Sequence, residues 1–495
     1  MAEEAPLAAR AALAPDPSVP GEHVKPFTPE QAREIVMSLQ NPAVFCDMAF
    51  DWPALRWNAT YLAELLAGKK IRFRMGTKGV GTAPLFETEC SYLEATLEEF
   101  LAWNGGQPSC SCGPFSGYDL CKYWAYADYK YIAKVFEDKP DNFQDIRWSD
   151  FGFPGRNGRE STLWIGSAGA STPCHLDSYG CNLVLQVQGR KRWHLYQPED
   201  FSFLYPTRIP YEESSVFSRV NVINPNLKSF PQFKKAQAHV VTLLPGQVLF
   251  VPRHWWHYVE SIDPITVSIN SWIELDTDHE ARIEEAITRT LICAIKSAEN
   301  PSASDCWLNP TEIEVTSHET NLQYLNRAVF GYLEHQKSGI IEHKDPATPH
   351  TEEKLSGPCK RRKVQMNAEF QDSKSVPCEP HRKMIKKEKL EQIPFGQSLF
   401  QVLPQSLETA DPTTAAESDC KDFLNEKGGH LRKLHCEGKT AVMNSISGAF
   451  VEQKDTGCSA SSPQTVICTN DLLDCVLNPQ VISLMAHLLL ERVSV

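Results

Sequence analysis

The stretch from Ser171 to Tyr196, STPCHLDSYGCNLVLQVQGRKRWHLY, constrains this chain more than any other. Alternate side chains of an extended segment leave the same face, so His175 and Asp177 point one way together. Leu183, Leu185 and Val187 then alternate with Val184, Gln186 and Gln188, and Gly189-Arg190 supplies a tight turn. The return segment sets Lys191, Trp193 and Leu195 on one face against Arg192, His194 and Tyr196. The pattern predicts a β-hairpin that aims a lysine beside a tryptophan and a leucine.

Strands continue on both sides. Leu163 to Ile165 is a short apolar run before a Gly-rich break. Leu244-Pro245-Gly246 is a turn ahead of Val248 to Val251, which Pro252 stops, and His257 to Val259 and Ile265 to Trp272 follow. Many short strands separated by Gly/Pro turns predict a sandwich or barrel. The first third mixes helices with strands. Thr28-Pro29-Glu30-Gln31 combines a capping hydroxyl, a first-turn proline and a capping-box glutamine. Asn58 caps a second helix, Thr96 with Glu99 a third, and Ile71, Phe73 and Met75 alternate with Arg72 and Arg74 as a half-buried strand.

After Leu275 the period becomes helical. Ile283, Ile287, Leu291 and Ile295 form one stripe, and Leu322, Leu325, Val329, Tyr332 and Leu333 a second. These stripes either cover one end of the barrel or pair with another chain as a homodimer. Residues 1–24 are Ala/Pro-rich, and 339–469 are rich in Lys, Glu, Ser, Thr, Pro and Gln, so both are expected to be disordered. Residues 470–495 are expected to form one short amphipathic helix that docks on the domain or a partner.

In a chain of 495 residues this gives a folded region over 25–275 with its core at 161–272, a helical extension at 276–338, and a tail. A formal charge of -13 argues against broad nucleic-acid contact, and no run of 18 apolar residues predicts a membrane span. Sixteen cysteines in irregular spacing, with no secretory leader ahead of them, read as reduced thiols in the cytoplasm. Lys360 to Lys363 and the cluster at Lys386, Lys387 and Lys389 leave the nucleus open as an address. Cys110, Cys112 and Cys121 supply three thiols in an unusual spacing for zinc.

An imidazole and a carboxylate on one strand need one more ligand to form the 2-His-1-carboxylate set that holds non-haem Fe(II). His257, in PGQVLFVPRHWWHYVES, supplies it, with Trp255 and Trp256 keeping the site dry; His254, nearer the turn, is the alternative, and His194 is a decoy. The bland alternative is a histidine packed in an aromatic core. Such an iron draws electrons from 2-oxoglutarate, whose far carboxylate needs a cation. Lys191 fits that need, with Thr172, Asn182 and Asn270 as hydrogen-bond partners, although a lysine is more often a solvated surface group.

Residues 161–272 resemble the JmjC domain of Fe(II)- and 2-oxoglutarate-dependent oxygenases, through STLWIGSAGASTPCHLDSYGCNLVLQVQGRKRWHLYQPED and the later PGQVLFVPRHWWHYVES and ITVSINSW. The similarity is to the small hydroxylase branch, including asparaginyl and tRNA wybutosine hydroxylases, and extends to NPAVFCDMAFDWPALRWNATYLAELLAGKKIRFR. It implies a double-stranded β-helix, a jelly-roll of the cupin kind, with N-terminal α/β elements and C-terminal helices. It implies Fe(II) held by His175, Asp177 and His257, and 2-oxoglutarate held by Lys191 and Thr172, with Asn270 the polar residue of the late strand. A protein side-chain hydroxylase is the implied activity, and the likeness of the whole chain, tail included, implies a small heat-shock protein as partner. A weakly active adaptor and a tRNA-nucleoside hydroxylase are the rival readings. Gln247 stands where an acid often follows Pro-Gly, in a turn, and Cys174 and Cys181 place thiols near the metal, as small buried hydrophobes or as oxidation-sensitive groups.

Overall fold

A computed structural model describes residues 24–79, 81–107, 113–299, 307–312, 315–342, 392–405 and 468–493. Most of the Ala/Pro-rich start, most of the tail, and Cys110 and Cys112 lie outside the described residues. In chain order come α1 (Pro29–Ser38), β1 (Ala43–Phe45), α2 (Ala59–Leu65), β2 (Ile71–Thr77), β3 (Ser91–Ala95), α3 (Leu97–Asn104), β4 (Tyr123–Tyr131) and α4 (Ile132–Val135). The central strands are β5 (Thr162–Ser167), β6 (Ser171–Asp177), β7 (Cys181–Gln188), β8 (Lys191–Tyr196), β9 (Pro206–Glu212) and β10 (Ser215–Ser218). After them run β11 (His239–Leu243), β12 (Val248–Val251), β13 (Trp256–Ser261) and β14 (Ile265–Ile273). The C-terminal elements are α5 (Asp278–Glu299), α6 (His318–Glu342), β15 (Leu399–Gln401), α7 (Thr469–Val476) and α8 (Pro479–Val493).

The strands form two facing sheets. Nine stand in the order β15-β1-β12-β7-β14-β5-β4-β2-β3, and six in the order β11-β8-β13-β6-β10-β9, so the architecture is a mainly β jelly-roll with helices outside it. All three N-terminal caps form: Thr28 and Thr96 close capping boxes, and the Asn58 side chain accepts from Tyr61 N.

The expected β7–β8 hairpin is not formed. β7 pairs with β12 and β14, whereas β8 pairs with β11 and β13, so Gly189-Arg190 carries the chain from one sheet to the other. Both strands are central in their sheets, and filling both edges satisfies more backbone groups than a two-strand ribbon would. The crossing requires glycine: Gly189 has φ 62°, and a Cβ there would lie 2.3 Å from Ile265 O. Alternation still places the side chains as expected. Leu183, Leu185 and Val187 face the N-terminal helices in the largest core cluster, while Val184 joins Trp193, Leu195, Leu249 and Val259 inside the barrel.

Three further departures have physical causes, and one open alternative is settled for α5. Arg74, expected on a solvent face, is fully buried, because its Nε donates to Asp128 Oδ2 at 2.6 Å and its Nη2 to Ser171 O at 2.9 Å. Inside the span expected to be disordered, α6 runs on to Glu342 and residues 399–401 add β15 to the free edge of β1. There Leu399 is fully buried and Val402 enters the barrel interior. The expected single terminal helix is two, α7 and α8, meeting at 55° because Pro479 cannot continue the first. The α5 stripe is covered within the chain, where Ile283, Ile287 and Ile292 pack with Trp307, Leu473 and Ile482. Among the described residues no single helix is long and apolar enough to cross a membrane.

Candidate metal centre

β6 and β13 bring the two histidines together. Their register places His257 opposite His175, then slips so that Val259 faces Thr172. The slip falls at Pro173, which has no N–H to give to the ladder, and such bulges re-aim side chains near sites. The imidazole centroids lie 4.2 Å apart. Asp177, two residues along β6, completes the set: its Oδ1 is 3.7 Å from His175 Nε2 and its Oδ2 is 3.9 Å from His257 Nε2. One ligand atom from each residue lies within 4.8 Å of the others, and this is the one such His/Cys/Asp/Glu group found among the described residues.

The surroundings orient all three. His175 Nδ1 lies 2.9 Å from Pro173 O and His257 Nδ1 lies 3.0 Å from Trp255 O. A carbonyl accepts only, so each Nδ1 carries the hydrogen and each Nε2 presents its lone pair inward. Burial is the largest cause that holds His175 neutral, pushing its pKa down to about 4, with His257 adding to it and Asp177 opposing. Trp272 Nε1 donates to Asp177 Oδ2 at 3.0 Å, leaving Oδ1 the freer oxygen. A neutral His, a second His with its Nε2 free and a carboxylate suit a divalent first-row metal, and two or three positions stay open.

A narrow cavity of about 40 Å³ adjoins the triad, lined by Tyr126, Thr172, Asn182, Lys191, Ser268 and Asn270 among others. Lys191 sits 2% exposed, donating to Ser268 Oγ at 2.8 Å and Tyr126 OH at 3.2 Å. It forms no ion pair with any described residue, and burial pushes its pKa down to about 7, with Asp128 opposing. An enclosed ammonium bonded only to hydroxyls fits an incoming carboxylate. Thr172 bonds the Tyr126 hydroxyl. Asn270 Nδ2 donates to Asn182 Oδ1 at 2.9 Å, and Trp164 Nε1 donates to Asn270 Oδ1 at 2.7 Å.

The structure thus brings His175, Asp177, His257, Thr172, Asn182, Lys191 and Asn270 into one place. His254 is elsewhere: at a turn with φ 64°, it opens onto a larger cavity of about 540 Å³. That cavity lies across β6 from the metal side chains, against Leu176, α5 and the α7–α8 turn. His194 stands on the other face of β8, edge-on to Tyr258. Cys174 is buried in an apolar cluster, and burial pushes its thiol well up, the state of a small hydrophobe. Sequence reading missed Tyr126, Tyr129, Trp164, Ser268 and Trp272. Tyr126 and Tyr129 lie on β4, about fifty residues before the metal strand, and only the alternation in YWAYAD signalled a strand there.

The two-sheet barrel with a His-x-Asp strand, a returning histidine and an enclosed lysine defines a cupin-like protein of the JmjC kind. Comparison agrees: residues 29–279 match the cupin-like domain family, and the chain belongs to it. Among curated proteins it is similar to human HSPB1-associated protein 1, 58% identical over 475 residues and covering 95% of each chain. The zebrafish homolog of that protein is 50% identical over 94% of this chain and 98% of its own. More distantly, zebrafish lysine-specific demethylase 8 is 27% identical over 52% of this chain and 59% of its own.

Proposed function

We propose that this chain is an Fe(II)- and 2-oxoglutarate-dependent oxygenase that hydroxylates a side chain of a protein. The observation that carries the reading is the convergence of two inward Nε2 atoms and the Asp177 carboxylate beside a buried lysine that has no counter-ion among the described residues. His175, Asp177 and His257 would hold the iron, which with 2-oxoglutarate and O2 supplies the oxidising power to insert one oxygen atom into a C–H bond, releasing succinate and CO2. Lys191, helped by Tyr126, Thr172 and Ser268, would hold the far carboxylate of 2-oxoglutarate. Trp164, Trp193 and Trp272 wall the cavity and keep water from the reacting groups.

The test is succinate production from 2-oxoglutarate by the iron-loaded full chain, beside Asp177→Ala. Production by the wild type alone supports the reading; equal rates in both, or none in the iron-loaded wild type with every substrate protein offered, oppose it.

A second reading concerns the partner. Its relatives carry the name HSPB1-associated protein 1, and we propose that this chain also associates with a small heat-shock protein in the cytoplasm. The exposed Val481, Leu484, Met485 and Leu488 of α8 favour a docking role, since they follow i, i+3, i+4, i+7 spacing beside the buried Ile482 and Ala486. Cells lacking the protein and given back His175→Ala with Asp177→Ala separate the two: full rescue would make docking, rather than catalysis, the essential activity.

A further inference from the structure

Across β6 from the metal side chains, the cavity of about 540 Å³ shares no lining residue with the metal cavity. Alternation along the strand sets it there. His175 and Asp177 turn to the metal gap, while Leu176 between them faces the other way, beside Val216, its strand partner on β10. α5 and the α7–α8 turn make the opposite wall through Ala281, Glu284, Leu477 and Ile482. The C-terminal helices are fastened over it: Leu473 and Ile482 pack with Ile283 and Ile287 of α5, and Asp474 forms an ion pair with Arg219. A space of this size falls among sites for small organic molecules, roughly 300–1,000 Å³.

Most polar groups in its walls already have partners. Glu285 accepts from Arg208 Nη1 at 3.0 Å and from Tyr211 OH at 2.8 Å. Thr288 Oγ1 donates to Glu284 O within α5 at 2.9 Å, and Asn478 Oδ1 accepts from Gln480 N at 2.9 Å. Burial, with Arg253 adding to it, holds His254 neutral and pushes its pKa down to about 4. The Glu284 carboxyl is the exception. Half-buried, it accepts from the Ser483 hydroxyl and has no cation within ion-pair distance among the described residues; Arg253 lies instead against Asp278. In a cavity otherwise walled by Leu176, Phe201 and Val216, that carboxylate lacks the counter-charge that buried charges ordinarily take. A neutral ligand would leave it so and an anion would be repelled, whereas an ammonium would neutralise it through a charge-assisted hydrogen bond. Because Ser483 already takes part of the carboxyl, the point charge of an ammonium suits it better than the two-pronged guanidinium. We infer that this cavity is a second binding site, separate from the metal centre, for a small amphiphile whose ammonium head pairs with Glu284 and whose aliphatic body lies against Leu176, Val216 and Ile482.

The experiment titrates the full chain, freed of metal with a chelator, with n-octylammonium, 1-octanol and n-octanoate by calorimetry at neutral pH, below their micelle-forming concentrations. Without metal present, the outcome is independent of the oxygenase reading. One n-octylammonium should bind per chain, at least about tenfold more tightly than octanol or octanoate. Glu284→Gln keeps the size of the side chain and drops its charge, so it should bring octylammonium down to the affinity of octanol. An octylamine carrying a diazirine at its far carbon reports the place, and on irradiation it should label Leu176, Val216 or Ile482. No binding, equal affinity for the three probes, tighter binding of octanol or octanoate, or a preference that survives Glu284→Gln overturns the inference. So do labels confined to the exposed Leu484 and Leu488 of α8.

Discussion

His175 and His257 face each other across the β6–β13 pair with their rings 4.2 Å apart, each locked by a carbonyl on its Nδ1 side. Two imidazoles this close, buried together, turn their Nε2 atoms into one gap, where a cation between them would partner both. The carboxylate of Asp177 faces the same gap.

The orientation of Asp177 depends on Trp272. Trp272→Phe deletes the N–H that donates to Asp177 Oδ2 while keeping an aromatic wall. Partners one layer behind a metal ligand are worth roughly 10–100-fold in affinity. Competition titration with a metal indicator should therefore show Mn(II) binding weakened about tenfold, with an unchanged melting temperature for the metal-free protein. Unchanged affinity would show that the indole does not orient the carboxylate.

Lys191 gives a pH signature of known sign. Its pKa in the folded protein, about 7, lies below the ordinary 10.5. Between those values the unfolded chain holds a proton that the folded chain has lost, so this group makes stability rise with pH across that window; the cost of burying its charge is fully present below the folded value. Lys191→Met should flatten the rise in urea midpoint between pH 7 and pH 9. A carboxylate beside Lys191 favours its charged form, so binding 2-oxoglutarate at pH 8 should take up a proton. Calorimetry in two buffers of different ionisation heat measures that uptake, and it should vanish in Lys191→Met.

The strap at residues 392–405 carries weight out of proportion to its length. Leu399 is fully buried against the nine-stranded sheet, and Val402 reaches the barrel cluster that holds Trp193, whose ring lies 5.8 Å from that of His257. Leu399→Ala should cost about 2–5 kcal/mol in urea unfolding, as buried leucine truncations do. An exposed tail segment would show a change within about 0.5 kcal/mol.

Strand and helix identity was legible where local chemistry decides it. The Thr28, Asn58 and Thr96 caps and the alternation that turns Lys191 inward with Trp193 depend on neighbours a few residues apart. What was not legible depends on distant partners. Gly189-Arg190 reads as a hairpin turn, because nothing nearby tells that β12 and β14 will occupy the edges of β7. Arg74 reads as exposed until Asp128, more than fifty residues on, neutralises it. β15 lies in a tail that is polar and low in aromatics on average, which masks the local run Leu399-Phe400-Gln401-Val402-Leu403, and the open edge of β1 is what pairs it. Among the candidate site residues, those on the two motif strands were readable and those on β4 were not, since Tyr126 and Tyr129 acquire meaning only when β4 is laid beside β5.

On the proposed function, His175, Asp177 and His257 form one metal site that 2-oxoglutarate completes. Native mass spectrometry of the full chain, prepared with Fe(II) and 2-oxoglutarate without oxygen, tests it most directly. One iron per chain is expected, with one 2-oxoglutarate bound only when iron is present, and neither in His257→Ala. A wild type that carries no iron, or a His257→Ala variant that carries as much, would contradict it.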